Sequence, residues 1–77
     1  MSLLLPQTRT GTVRSATPLS IHGDRYVDLV VELEGEAGPP IAGRLSAHEC
    51  PDALKPGERV SARFTMGVMM SVARASR

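Results

Sequence analysis

The sequence predicts an all-β domain of five short strands, and three observations carry that prediction. Polarity alternates residue by residue over Tyr26 to Leu33 and again over Arg59 to Thr65, the period of a half-buried strand. Clusters of Gly and Pro punctuate the chain between such runs. The one segment with helix-start chemistry meets Pro51 within a few residues, so no long helix is available.

In order along the chain, Met1-Ser2-Leu3-Leu4-Leu5-Pro6 opens with an apolar run too short for a signal peptide or a membrane span and without a basic leader. Residues 1–9 are read as an N-terminal arm, either a lead-in to the first strand or a docking segment. Thr10 to Ala16, centred on Val13, forms the first strand. A break from Pro18 through Gly23-Asp24 separates it from the second, where Val27, Leu29, Val31 and Leu33 share one face and Tyr26, Asp28, Val30 and Glu32 the other.

Gly35 through Pro39-Pro40 makes a loop. Ile41 to Ser46 follows as a third strand, with Ile41, Gly43 and Leu45 opposite Ala42 and Arg44. Ser46-Ala47-His48-Glu49 has capping-box spacing, and Pro51 could alternatively stand at the first position of a single turn; either way the element is brief. Lys55-Pro56-Gly57-Glu58 suits a type II turn. Beyond it Val60, Ala62 and Phe64 face inward, Met66-Gly67 is short enough for a tight hairpin, and Val68, Met70 and Val72 continue the inward face of a fifth strand. Residues 74–77 read as a frayed tail.

Five strands with a short helical connection after the third are the order of an OB-type Greek-key barrel, here spanning residues 10–73, with an SH3-like barrel as the rival. The 77 residues suffice for one domain with a modest core, which favours self-association into an oligomer. One cysteine, Cys50, excludes an internal disulfide and fits a reducing cytoplasm.

Net charge is +1, but all eight acids lie between Asp24 and Glu58, with Arg9 and Arg14 before them and Arg63, Arg74 and Arg77 among the arginines after. Arg14, Arg25, Arg44 and Arg63 fall in or beside strands at outward positions, where they could track phosphates. Tyr26 is the one outward ring able to stack a base, because Phe64 shares the face of Val60 and Ala62.

Two resemblances bear on function. Gly11-Thr12-Val13, the Gly23-Asp24-Arg25 turn into Val27 to Leu33, and Ala53-Leu54-Lys55-Pro56-Gly57-Glu58-Arg59-Val60 resemble the scaffold of TOBE modules, OB-type barrels attached to ABC-transporter ATPases or free-standing as molybdate binders. That resemblance covers Gly11 to Val72 and implies a small-anion or regulatory module at a subunit interface. Pro6-Gln7-Thr8-Arg9 and Thr65-Met66-Gly67 stand where the molybdate-binding members carry their anion donors, and the lysine is missing. Thr65 and backbone amides remain as donors for some other anion.

Gly11-Thr12-Val13 followed by Pro18-Leu19, with Gly23 before the second strand, also resembles bacterial single-stranded-DNA-binding proteins and their primosomal relatives. This implies a groove for single-stranded nucleic acid lined by Arg14, Arg25, Tyr26, Arg44 and Arg63.

Catalysis finds little support. His48 and Cys50 are two apart and have no third group to orient them, and His22 beside Gly23 reads as a turn residue. Met66, Met69 and Met70 read as packing residues, with Met69 and Met70 on opposite faces. Glu32, Glu34 and Glu36 read as a solvated strand edge. There is no Walker loop, dinucleotide fingerprint or zinc spacing, so the expectation is a non-enzyme with no cofactor. Its expected partner is single-stranded nucleic acid, with a small anion or a larger assembly as the alternatives.

Overall fold

A computed structural model describes residues 5–35 and 38–75. Leu3, Leu4, Glu36 and Arg77 lie outside them. Five strands, β1 (Gln7–Ile21), β2 (Asp24–Leu33), β3 (Ile41–Ser46), β4 (Arg59–Thr65) and β5 (Val68–Arg74), form one antiparallel sheet in the order β3-β2-β1-β4-β5. A single 3-10 turn, Ala47–Glu49, connects β3 towards β4. Ser46 caps it by accepting the His48 amide at 3.2 Å, the first of the two helix starts that the sequence left open.

β1 is the central strand and is longer than its sequence suggests. It begins at Gln7, inside the expected arm, because Gln7, Thr8 and Arg9 ladder with Phe64, Arg63 and Ala62. It also runs through Pro18, which was expected to break it. β4 covers only Gln7 to Thr12, so the rest of β1 has β2 as its sole ladder partner, and Pro is tolerated on such an edge. At the other end β5 extends to Arg74, opposite Val60.

Two β-bulges set the inward faces. In β1 the register slips between Val13, opposite Val31, and Ser15, opposite Val30, leaving Arg14 as the extra residue. Gly11 and Val13 therefore point inward before the slip and Ala16 after it. In β5, Met69 opposes Phe64 while Ser71 opposes Arg63, so Met70 is the extra residue. This corrects the expected Val68-Met70-Val72 face: Met69 is 3% exposed, whereas Met70 is 52% exposed.

The core joins Leu29, Val31 and Leu33 of β2 to Val60, Ala62 and Phe64 of β4, with Val13, Leu45, Leu54, Met69 and Val72 completing it. Each large member contributes about 1.5–3 kcal/mol through removal from water. Two close approaches depend on missing side chains. A Cβ on Gly11 would stand 2.6 Å from both the Glu32 carbonyl oxygen and Val31 Cγ1, and one on Gly43 would stand 3.1 Å from Met69 Cε. Gly43 thus lets β3 and β5, the two edges of the sheet, come together.

His22-Gly23 and Met66-Gly67 close two-residue hairpins, with φ of 51° and 85° in the first and 55° and 79° in the second. Positive φ at both central residues is the type I′ geometry that matches strand twist. Lys55-Pro56-Gly57-Glu58 closes with the Glu58 amide on the Lys55 carbonyl at 3.2 Å and φ of 95° at Gly57, a type II turn. Val13 fastens that corner, its amide donating to the Glu58 carbonyl and its carbonyl accepting the Gly57 amide, both at 2.8 Å.

Candidate nucleic-acid interface

The β1–β2 hairpin outruns both of its neighbours, since β4 stops opposite Thr12 and β3 stops opposite Tyr26. Its projecting end carries Ser20 opposite Arg25 and Leu19 opposite Tyr26. On the outward side, Leu19, Tyr26 and Ser46 form one row across β1, β2 and β3, and Thr17, Asp28 and Arg44 form the next. Tyr26 is half-buried in this surface, and Arg25 beside it is exposed.

A groove of about 610 Å³ runs from this hairpin to the segment after the 3-10 turn, with Pro18, Leu19, Arg25 and Tyr26 on one wall and Pro51 and Leu54 on the other. Cys50 also lines it. Burial pushes the Cys50 thiol up from its ordinary value, with the nearby Arg74 guanidinium opposing, so it is a neutral thiol rather than a ready nucleophile. Among the described residues no three His, Cys, Asp or Glu side chains gather as a metal site, and no helix is long and apolar enough to cross a membrane.

The five predicted site residues are not equivalent. Arg25 and Tyr26 both line the groove, but as successive strand residues they leave β2 on opposite faces, Arg25 on the face of Val27 rather than at the outward position expected of it and Tyr26 on the face of Asp28, with Arg44 one row from Tyr26. Arg44, however, is clamped by Asp28, with Nε to Oδ1 at 2.7 Å and an Nη2 contact to Oδ2 at 3.1 Å. This fork holds the Asp28 carboxyl below its ordinary value and raises the Arg44 guanidinium. Arg14, at the β1 bulge, meets Glu32 at 3.4 Å. Arg63 sits on β4, on the far side of β1 from Arg44 in the sheet order.

Cross-strand ion pairs also occupy other arginines that looked available in the sequence. Arg59 pairs with Glu34, and Arg74 pairs with Glu58 at 2.8 Å while donating to the Asp52 carbonyl. Arg9 donates to the Glu34 carbonyl at 3.2 Å. The Arg74 bond, reinforced by the Lys55 amide, holds the Glu58 carboxyl low. Only Arg25 and Arg63, of the described arginines, have no such partner. Sequence reasoning missed this sorting because it depends on register, although Asp28 and Arg44 at outward positions of two strands were a usable signal.

The exposed large hydrophobics among the described residues are Leu5, Met66, Val68 and Met70, which belong to the lead-in to β1 and to the β4–β5 hairpin. Comparison of the chain with protein-family models, with curated proteins and with solved structures returns no match.

Proposed function

We propose that the chain is a non-catalytic OB-type module that binds single-stranded nucleic acid at the projecting β1–β2 hairpin and the adjoining β2–β3 surface. The single observation that carries this reading is the placement of Tyr26. The one outward ring is half-buried and lines a groove, next in the strand to an arginine with no carboxylate partner that lines the same groove from the other face, and one row from a second arginine. The strand order supports the barrel plan: β1 pairs with both β2 and β4, a short turn follows β3, and β3 and β5 approach through Gly43 and Met69. OB-type barrels use the β2–β3 face and the β1–β2 loop for oligonucleotides, which is an analogy of fold.

In this reading Tyr26 stacks a base, Arg25 holds a phosphate, and Arg44 becomes available only by leaving Asp28. Arg14 and Arg63 lie outside the contact. One stacking platform is worth about 1–3 kcal/mol, so a single copy binds weakly and with a shallow salt dependence. Fluorescence anisotropy with a labelled oligo-dT at low and moderate salt tests the reading. Tyr26→Ala and Arg25→Ala should each weaken binding, and Asp28→Asn, which releases Arg44, should strengthen it. Absence of saturable binding at low salt would refute the reading.

A further inference from the structure

Arg63 is anomalous among the strand arginines. Arg14, Arg44, Arg59 and Arg74 each face a carboxylate from a neighbouring element, whereas Arg63, in the interior of β4, faces none. The ladders show what surrounds it. Thr8 of β1 and Ser71 of β5 are its direct partners on either side, and Ser61 is the next outward residue of β4. Arg63, Thr8, Ser61 and Ser71 all line one cleft of about 640 Å³, with His48 and Glu49 of the 3-10 turn on its rim. From Arg59 to the last residue the sequence contains no acid.

We propose that this cleft binds a phosphate group, with the Arg63 guanidinium as the cation and the Thr8, Ser61 and Ser71 hydroxyls as donors. A guanidinium offers several N–H donors in a fixed plane suited to phosphate oxygens, and each hydroxyl can turn its proton towards an acceptor. A carboxylate at any of those positions would neutralise the arginine internally, as happens at the four paired sites. Glu49 is the one carboxylate on the rim and opposes an anion, so its removal should tighten the site. The cleft adjoins the Tyr26 groove at Cys50 and Pro51, which line both, but none of its four proposed donors lines that groove, and all four belong to a single chain.

The phosphate could be a small ion or ester, or a phosphodiester of a nucleic acid, and two arms of one experiment separate these. Amide resonances of the full chain are followed during titration with inorganic phosphate against chloride at matched ionic strength, and separately with oligo-dT lacking a terminal phosphate. The proposal expects saturable phosphate shifts at Thr8, Ser61 and Ser71, weakened at least about tenfold by Arg63→Gln and several-fold by the Thr8→Val/Ser71→Ala pair. Glu49→Gln should strengthen them.

Phosphate inert but oligo-dT binding weakened about tenfold by Arg63→Gln would also support the site and identify its ligand as a phosphodiester. Phosphate inert and oligo-dT binding indifferent to Arg63→Gln would overturn it, as would phosphate shifts that survive Arg63→Gln. Tyr26→Ala keeps the two readings apart, because it should weaken oligo-dT binding at the groove and leave phosphate shifts around Arg63 in place.

Discussion

The β1–β2 and β4–β5 hairpins use the same devices and present opposite surfaces. Each is closed by a residue followed by Gly in a type I′ turn, and each carries one bulge. The outward arginines of the first ladder, Arg14 and its neighbour Arg44 on β3, are matched by Glu32 and Asp28. The second hairpin has no acid at all, leaves Arg63 unmatched and exposes Met66, Val68 and Met70. The contrast teaches that backbone chemistry fixes where a strand turns, while partner residues on the neighbouring strand fix whether its charges are available.

The strongest test of that contrast is at the β5 bulge. Met69→Ala removes a side chain packed with the core and should cost about 2–5 kcal/mol, whereas Met70→Ala, one residue on, should change stability by no more than about 0.5 kcal/mol. Urea denaturation of the two variants measures both. Equal costs would mean that Met69 does not face the core.

Next in size is the contact between the sheet edges. Gly43→Val would press a branched side chain against Met69, and overpacking of this kind should cost about 1–3 kcal/mol. Pairing it with Met69→Ala tests the contact directly, since the two changes together should cost less than their sum if the cavity left by the methionine receives the valine.

The turns should be the point at which the hairpins behave alike. Gly23→Ala and Gly67→Ala both force a Cβ into positive φ, and neither meets a steric neighbour, so each should lower stability by about 1–2 kcal/mol in thermal or chemical unfolding. A large difference between them would show that one turn carries a role beyond closing its strand pair.

The smallest expected effect is in acid. Asp28 and Glu58 both titrate below their ordinary values because Arg44 and Arg74 hydrogen-bond to the charged carboxylates. Their stabilisation is present above the unfolded-state value of about pH 4 and is lost as pH falls through the lower folded-state value. Both groups are partly open to solvent, which screens the pairs, so the effect is small: Asp28→Asn and Glu58→Gln should each flatten the acid limb of stability measured against pH.

Much of the scaffold was legible in the sequence. The inward faces of β2, β3 and β4 follow from alternation, and Ser46, His22-Gly23, Met66-Gly67 and the Pro56-Gly57 corner announce themselves by turn chemistry. Where the reading failed, the cause was a property of pairing rather than of residue type. Pro18 breaks a central strand but is tolerated on an edge, and nothing near Pro18 reveals that β4 stops short of it. The pairing of Val68 with Thr65 across the turn puts Met69 rather than Met70 on the inward face, and the bulge at Met70, which carries no compositional mark, returns Val72 to that face. Of the expected site, Arg25 and Tyr26 were legible as neighbours, but the capture of Arg14 and Arg44 by carboxylates depends on strands that meet only in the fold.

The register of the β4–β5 hairpin also decides which thioether meets solvent-borne oxidants. Pairing of Val68 with Thr65 across the Met66-Gly67 turn sets Met69 opposite Phe64, so Met69 is shielded while Met66 and Met70 are exposed. Sulfoxide formation would therefore begin at the two exposed positions, where a polar sulfur disturbs no packing. The hairpin register therefore gives the molecule an outer pair of methionines that oxidise before the buried one packed against Gly43.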